Sequence, residues 1–107
     1  MKTGSVQAGP VKLKYVQDSS GRFWFVVRDF YRLLQKHLRK SEYELCLKKV
    51  ETKNFIDPEF GYKPRHLSMD GINEILYHPD LFLPRSLQKW FWNSLLPAMS
   101  GRTYEVV

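Results

Sequence analysis

Five consecutive apolar residues, Phe23, Trp24, Phe25, Val26 and Val27, leave this chain no polar face at one point of its fold. A strand with one wet side alternates apolar and polar residues, whereas a strand apolar on both sides needs cover on both. The segment before it does alternate: Val11, Leu13 and Tyr15 are interleaved with Lys12 and Lys14, and Asp18-Ser-Ser-Gly21 then marks a turn. The two runs therefore predict a β-hairpin whose second strand is central and covered.

Beyond the hairpin the spacing becomes helical. Phe30, Leu33, Leu34, His37 and Leu38 recur as a core stripe, with Asp29 placed to cap the helix. Ser41 and Glu44 have the spacing of a capping box, which predicts a second helix over about 42–49 that buries Tyr43, Leu45, Cys46 and Val50. Residues 51–66 mix Pro and Gly with Phe55, Ile56, Phe60 and Tyr62, the pattern of a second, irregular hairpin. Ser68 or Asp70 opens a short helix that His78-Pro79 stops. A long helix runs from Pro84 to Met99 and ends at Ser100-Gly101, with Leu83, Leu87, Trp90, Phe91, Leu95 and Ala98 on its core face. Residues 1–10 carry no periodicity and are read as a mobile arm, 11–99 as one domain, and 100–107 as a tail. The expected class is α+β: a single small domain with an N-terminal β-hairpin, two short helices, a second irregular hairpin, a short helix and a long C-terminal helix.

Charge is distributed unevenly. Within the first forty residues nine basic side chains face two acidic ones, and the rest of the chain carries eight basic against nine acidic, so the net +6 belongs to one end. A concentrated cationic surface attracts a polyanion, because each phosphate neutralised releases condensed counterions. Lys12 and Lys14 on the first strand, and Arg28, Arg32, Lys36, Arg39 and Lys40 on and after the first helix, are the candidate contacts to double-stranded DNA. The alternative for such a row is an ordinary solvated helix face.

On the long helix, Arg85, Lys89, Trp92 and Leu96 form a second candidate surface, suited to a homodimer. Trp92 has three readings there: covered by the chain's own tail, packed on another subunit, or stacked on a base or sugar.

Other chemistries have little in the residues to support them. One cysteine, Cys46, excludes an intrachain disulfide, and with three scattered histidines it gives no metal-ligand spacing, so no metal or other cofactor is expected. Cys46 between Leu45 and Leu47 reads as a small buried hydrophobe, and His66 near Asp70 is a pair that straddles a helix start. No phosphate-binding glycine loop or nucleophile elbow occurs, and the chain is read as a non-enzyme. No apolar run approaches a membrane span and the first residues lack a secretory pattern, which makes the cytoplasm the expected location.

Three segments in order resemble one family. Trp24-Phe25-Val26-Val27-Arg28-Asp29-Phe30 followed by Leu33-Leu34 is similar to the "WFVAKDV…AL" opening of Bro-N domains, the N-terminal modules of baculovirus BRO proteins and many phage antirepressors. Leu67-Ser68-Met69-Asp70-Gly71-Ile72 with Ile75-Leu76 resembles that family's "INESGLYSLI", and Leu87, Trp90 and Leu95-Leu96-Pro97 its "F..W…VLP" helix. Gln35-Lys36-His37 stands where the family has "GY" after its first helix. The resemblance covers about residues 11–99 and implies an α+β DNA-binding module of a phage or other mobile element, used in transcription regulation or as an antirepressor.

Two further readings stay open. A small phage-type inhibitor or adaptor would dock on a host or phage protein, with Glu42, Glu44 and Glu51 as an acidic patch. A single-strand binder would use Tyr15, Phe23, Phe25, Phe60 and Tyr62 as stacking platforms.

Overall fold

The computed structural model describes residues 2–59 and 61–105. Its elements in order are β1 (Lys2–Ala8), β2 (Val11–Gln17), β3 (Phe23–Val26), α1 (Val27–Leu34), α2 (Lys40–Leu47), β4 (Thr52–Asn54), β5 (Arg65–Ser68), α3 (Met69–Leu76) and α4 (Arg85–Trp90). A π-helical turn (Phe91–Leu95) then leads without a break into α5 (Leu96–Glu105). The five strands form one antiparallel sheet ordered β1-β2-β3-β5-β4.

Strand β3 is buried along its whole length and lies between β2 and β5. On one face the cross-strand row Tyr15, Phe25 and Leu67 joins Leu13, and the helices pack over it through Phe30, Leu34, Tyr43, Ile72, Phe91 and Leu95. On the other face the row is Val16, Trp24 and Ser68, followed by Val26, His66 and Lys53. No helix among the described residues covers Trp24. Its ring lies 5.7 Å from that of Phe55, the Arg22 guanidinium sits 4.7 Å above it and the Lys53 ammonium 5.0 Å away, so cationic side chains complete the cover. The architecture is α+β in a single domain.

The turn between β2 and β3 is organised by one carboxylate. Asp18 Oδ1 accepts hydrogen bonds from the Ser20 amide (3.0 Å), the Ser20 hydroxyl (2.7 Å) and the Arg22 amide (2.9 Å), while Oδ2 accepts from Trp24 Nε1 (3.0 Å). The indole and hydroxyl donors hold this carboxyl well below the usual carboxylate range.

Residues 2–8, read as a mobile arm, are instead a full edge strand paired residue for residue with β2 from Lys2↔Gln17 to Ala8↔Val11. The strand escapes a periodicity search because its inner-face positions include Gly4, where a side chain has no room. A Cβ there would lie 2.6 Å from Cζ of the buried Tyr15. Gly9, at φ 58°, and Pro10 close the two-residue turn, where a positive φ at the first position suits glycine.

The helices start and stop elsewhere than expected. β3 runs directly into α1, so the helix begins at Val27 and Asp29 is no cap: it sits buried in the first turn, where its carboxylate accepts from the Lys14 backbone amide at 3.0 Å. α1 ends at Leu34, the stripe breaks, and His37 is exposed rather than part of the core. α2 begins at Lys40, with the Glu42 carboxylate accepting from the Arg39 amide at 3.1 Å. That is the capping-box spacing, two residues earlier than Ser41 and Glu44, and the shift turns Leu45 outward (60% exposed) and Leu47 inward.

Ser68 does open α3, its hydroxyl accepting from the Gly71 amide at 3.1 Å, and β4 with β5 is the second hairpin. The C-terminal helix passes through Ser100-Gly101 as far as Glu105, so the expected tail is helical, and residues 106–107 lie outside the described residues. The π turn interrupts the α-helical count; Phe91, Leu95 and Met99, four apart, are buried, and Leu96 is partly buried against the core.

Two outcomes test these constraints. Gly4→Ala loses about 1–3 kcal/mol of stability in urea unfolding, the usual cost of overpacking a core that cannot yield; an unchanged midpoint would show that Tyr15 moves aside freely. For Asp18 the folded carboxyl titrates below its unfolded value of about 4, so its stabilisation is present above that pH and fades as pH falls through the folded value. Asp18→Asn therefore lowers the melting temperature at pH 7, and the gap to wild type narrows below about pH 4; a gap independent of pH from 7 to 2 contradicts the assignment.

Candidate nucleic-acid interface

The outer face of the sheet and the start of α1 enclose three adjoining concavities. The first, about 220 Å³, lies over β1, β2 and β3, roofed by residues 56–59 and lined by Ser5, Lys12, Lys14, Val26, Ile56 and His66 among others. A second of about 290 Å³ lies between the starts of α1 and α2, with Arg28, Lys40, Tyr31, Tyr43, Tyr62 and Arg65 in its walls. The third, about 430 Å³, shares Lys14, Val26 and Asp57 with the first and Val26, Arg28 and Tyr62 with the second. Together they make one furrow running from the β1–β2 face past α1 to α2.

The roof is held down by a carboxylate. Asp57 is buried; its Oδ2 lies 2.6 Å from Lys14 Nζ and its Oδ1 accepts from the Glu59 amide at 2.9 Å. Backbone bonds from the Asp57 amide to the Tyr62 carbonyl and from the Gly61 amide to the Asp57 carbonyl, both 2.7 Å, close the loop. Glu59 stands 3.5 Å from the same ammonium, and the hydrogen bond to Asp57 keeps the Lys14 pKa above its ordinary value. Lys14 is thus a strut between β2 and the roof.

The seven cations expected to form one row divide into groups. Lys12, Lys14, Arg28, Arg32 and Lys40 line the furrow; Lys36 and Arg39 do not. Arg32 lies 3.4 Å from Asp29 and Arg39 Nε 3.6 Å from Glu42. Lys12, Arg28, Lys36 and Lys40 are exposed and make no ion pair among the described residues. The row breaks because α1 stops at Leu34, so one-turn spacing no longer holds for Lys36, Arg39 and Lys40. Arg65 is a wall residue that the sequence reading missed; only the Asn54↔Arg65 register of the second hairpin brings it there.

The second candidate surface comes apart. Arg85, Lys89 and Trp92 (53% exposed) face solvent, but Leu96 is half-buried and packs against the core. The Trp92 indole meets the Phe91 ring edge-on at 5.6 Å. Among the stacking candidates, Tyr15, Phe23 and Phe25 are buried and Tyr62 is exposed in the furrow wall, while Phe60 lies outside the described residues. The acidic patch is divided among ion pairs: Glu42 with Arg39, Glu44 with Arg65 at 2.8 Å, and Glu51 with Arg22 at 2.7 Å.

His66 is buried, its Nδ1 2.9 Å from the Pro64 carbonyl oxygen and its ring edge-on to Phe55, and desolvation lowers its pKa. Asp70 is exposed at the start of α3. Burial pushes the Cys46 thiol up, away from thiolate chemistry. Among the described residues no group of three or more His, Cys, Asp or Glu is gathered to hold a metal, and no helix is long and apolar enough to cross a membrane. No family model, no curated protein and no solved structure matches the chain.

The strut gives a stability test. Asp57→Ala removes two side-chain acceptors and leaves Lys14 without this partner, which costs about 2–3 kcal/mol in urea unfolding and speeds amide hydrogen exchange across residues 55–62. A loss below about 0.5 kcal/mol, the range of a surface substitution, would show that the roof does not depend on this pair.

Proposed function

We propose that this chain is a Bro-N-like DNA-binding module of a phage or other mobile element, acting in transcription regulation or as an antirepressor-type module, and that it grips double-stranded DNA through the furrow. The observation that carries the reading is Arg28, an exposed cation in the first turn of α1 that belongs to two of the three concavities and has no carboxylate partner among the described residues. Lys40 stands in the same wall and Lys12 at the far end of the furrow. The start of a helix adds its own positive potential to Arg28, which favours a phosphate there.

Roles follow from the chemistry of each cation. Arg28 can fork to two phosphate oxygens or to a guanine edge, whereas Lys12 and Lys40 act as point charges on the backbone. Arg32 and Arg39 are more than half exposed in their pairs, and such pairs contribute little, so a phosphate can replace the carboxylate. Lys36 extends the field beyond α1. Lys14 is withdrawn from the contact set, since its ammonium is already held by Asp57 and Glu59.

The rival reading, an adaptor that docks on a host or phage protein, draws on Phe82, which is 90% exposed on a backbone with φ 51°. The two separate cleanly. Arg28→Glu with Lys40→Glu weakens binding to a random-sequence duplex at least tenfold in a gel-shift titration and reduces the slope of log affinity against log salt by about two, roughly one for each phosphate no longer neutralised. Phe82→Ser leaves both quantities unchanged. Unaltered affinity in the double reversal overturns the DNA reading.

A further inference from the structure

The outer edge of the sheet has a feature that neither the furrow nor the helix packing uses. β1 is a seven-residue edge strand whose only strand partner among the described residues is β2. Edge strands normally carry a bulge, a proline, inward charges or extreme shortness, which stop another chain from pairing with them. β1 has unbroken register, no proline and a single charge, Lys2, at its end. The opposite edge, β4, is three residues long with Lys53 at its centre. Only one edge of this sheet is blunted.

Beyond the unblunted edge lies a hollow that an added strand would border. A concavity of about 280 Å³ separates β1 from the C-terminal helix, with Ser5, Val6 and Gln7 on one side and Trp90, Ser94 and Ala98, successive residues at one-turn spacing, on the other. The small side chains at 94 and 98 leave the helix wall shallow, and half-buried Trp90 supplies an apolar flank. Edge strand plus helix wall is the geometry of strand addition, where the main chain supplies affinity and the wall supplies selectivity.

We infer that this edge receives a second copy of the same chain, β1 against β1, antiparallel about a two-fold axis through Ser5. The strand is self-complementary in that register. Gly4 lies opposite Val6, Thr3 opposite Gln7 and Lys2 opposite Ala8, so no like charges meet. Thr3, Ser5 and Gln7 share the outer face with Lys12, Lys14 and Val16, and pair there as polar neighbours. Gly4, Val6 and Ala8 extend the inner, apolar face. Two five-stranded sheets become one of about ten, the upper end of what an open twisted sheet sustains.

The pairing has a consequence for the furrow, and this consequence alone rests on the DNA reading. The first concavity is bordered by Thr3, Gly4 and Ser5, residues of the paired edge. Joining the edges therefore sets two furrows side by side on one face, with a Lys12 on each side of the axis. A two-fold protein surface matches a two-fold pair of half-sites.

Mass in solution tests the strand pairing without any nucleic acid. Sedimentation at tens of micromolar should give about 25 kDa, twice the 12.7 kDa chain. Ser5→Cys should cross-link on mild oxidation into a covalent dimer that reductant dissolves, because residues at the axis are directly opposed with Cβ atoms about 5 Å apart. Thr3→Cys should not, since its counterpart lies four residues along the strand; Cys46 is buried and does not compete. Ser5→Lys and Ser5→Glu should each be folded monomers by circular dichroism and mass, and mixing them should restore the dimer. A monomeric wild type, cross-linking by both cysteine variants alike, or a Ser5→Lys protein that stays dimeric overturns the inference. Loss of DNA binding with the dimer intact would count against the furrow and leave the strand pairing standing.

Discussion

The need to cover β3 on both faces shapes everything else in the molecule. Phe23 and Phe25 are satisfied by the helices on the inner side. Trp24 and Val26 point the other way, where no helix among the described residues packs, and the chain covers them with residues 55–59 and the side chains of Arg22 and Lys53. The zero exposure of this large indole depends on Phe55 and the stretch after it lying over the sheet. Burial of apolar area of this size contributes a few kcal/mol toward holding the loop on the sheet. The Lys14–Asp57 strut then fixes its height, and the furrow is the space left between that roof and the start of α1.

The same arrangement sorts the cations. Those near the sheet face, Lys14 and Arg22, are drawn into pairs with Asp57 and Glu51 that hold the outer layer in place. Arg28, Lys40 and Lys12 make no ion pair among the described residues, although Glu44 shares a wall with the first two and Asp57 and Glu59 one with the third, and they stand at the rim of the hollow that the layer creates. Fold and electrostatic surface are therefore coupled: a chain that folded without the roof would keep its net charge but not its concave cationic wall.

How much of this was legible in the sequence depends on where the determining contact lies. The β2–β3 hairpin, the central position of β3 and the second hairpin follow from patterns only a few residues wide and are present, and of Ser68 and Asp70, the two starts offered for α3, Ser68 is the cap. β1 was not legible, since its membership of the sheet depends on pairing with β2 and on the absent Cβ of Gly4, neither of which leaves an apolar period. The start of α2 was read two residues late, because Ser41–Glu44 fits the capping-box pattern while the actual N-cap is an arginine, and Tyr43 and Leu47 pack inward from the earlier start. The π turn at Phe91–Leu95 was announced by no local pattern. At the candidate site, Arg28 and Lys40 were found from charge alone. The internal role of Lys14 and the arrival of Arg65 required knowledge of which strands meet.

The most direct test is to map the bound face residue by residue. In a ¹⁵N-labelled sample titrated with a short random duplex, amide and side-chain signals of Lys12, Arg28, Lys40, Tyr62 and Arg65 should move together, in fast exchange and with amplitudes that fall as salt is raised. The Trp92 indole signal should stay where it is. Shifts centred on Trp92 or Phe82, with the furrow signals unmoved, would contradict the account.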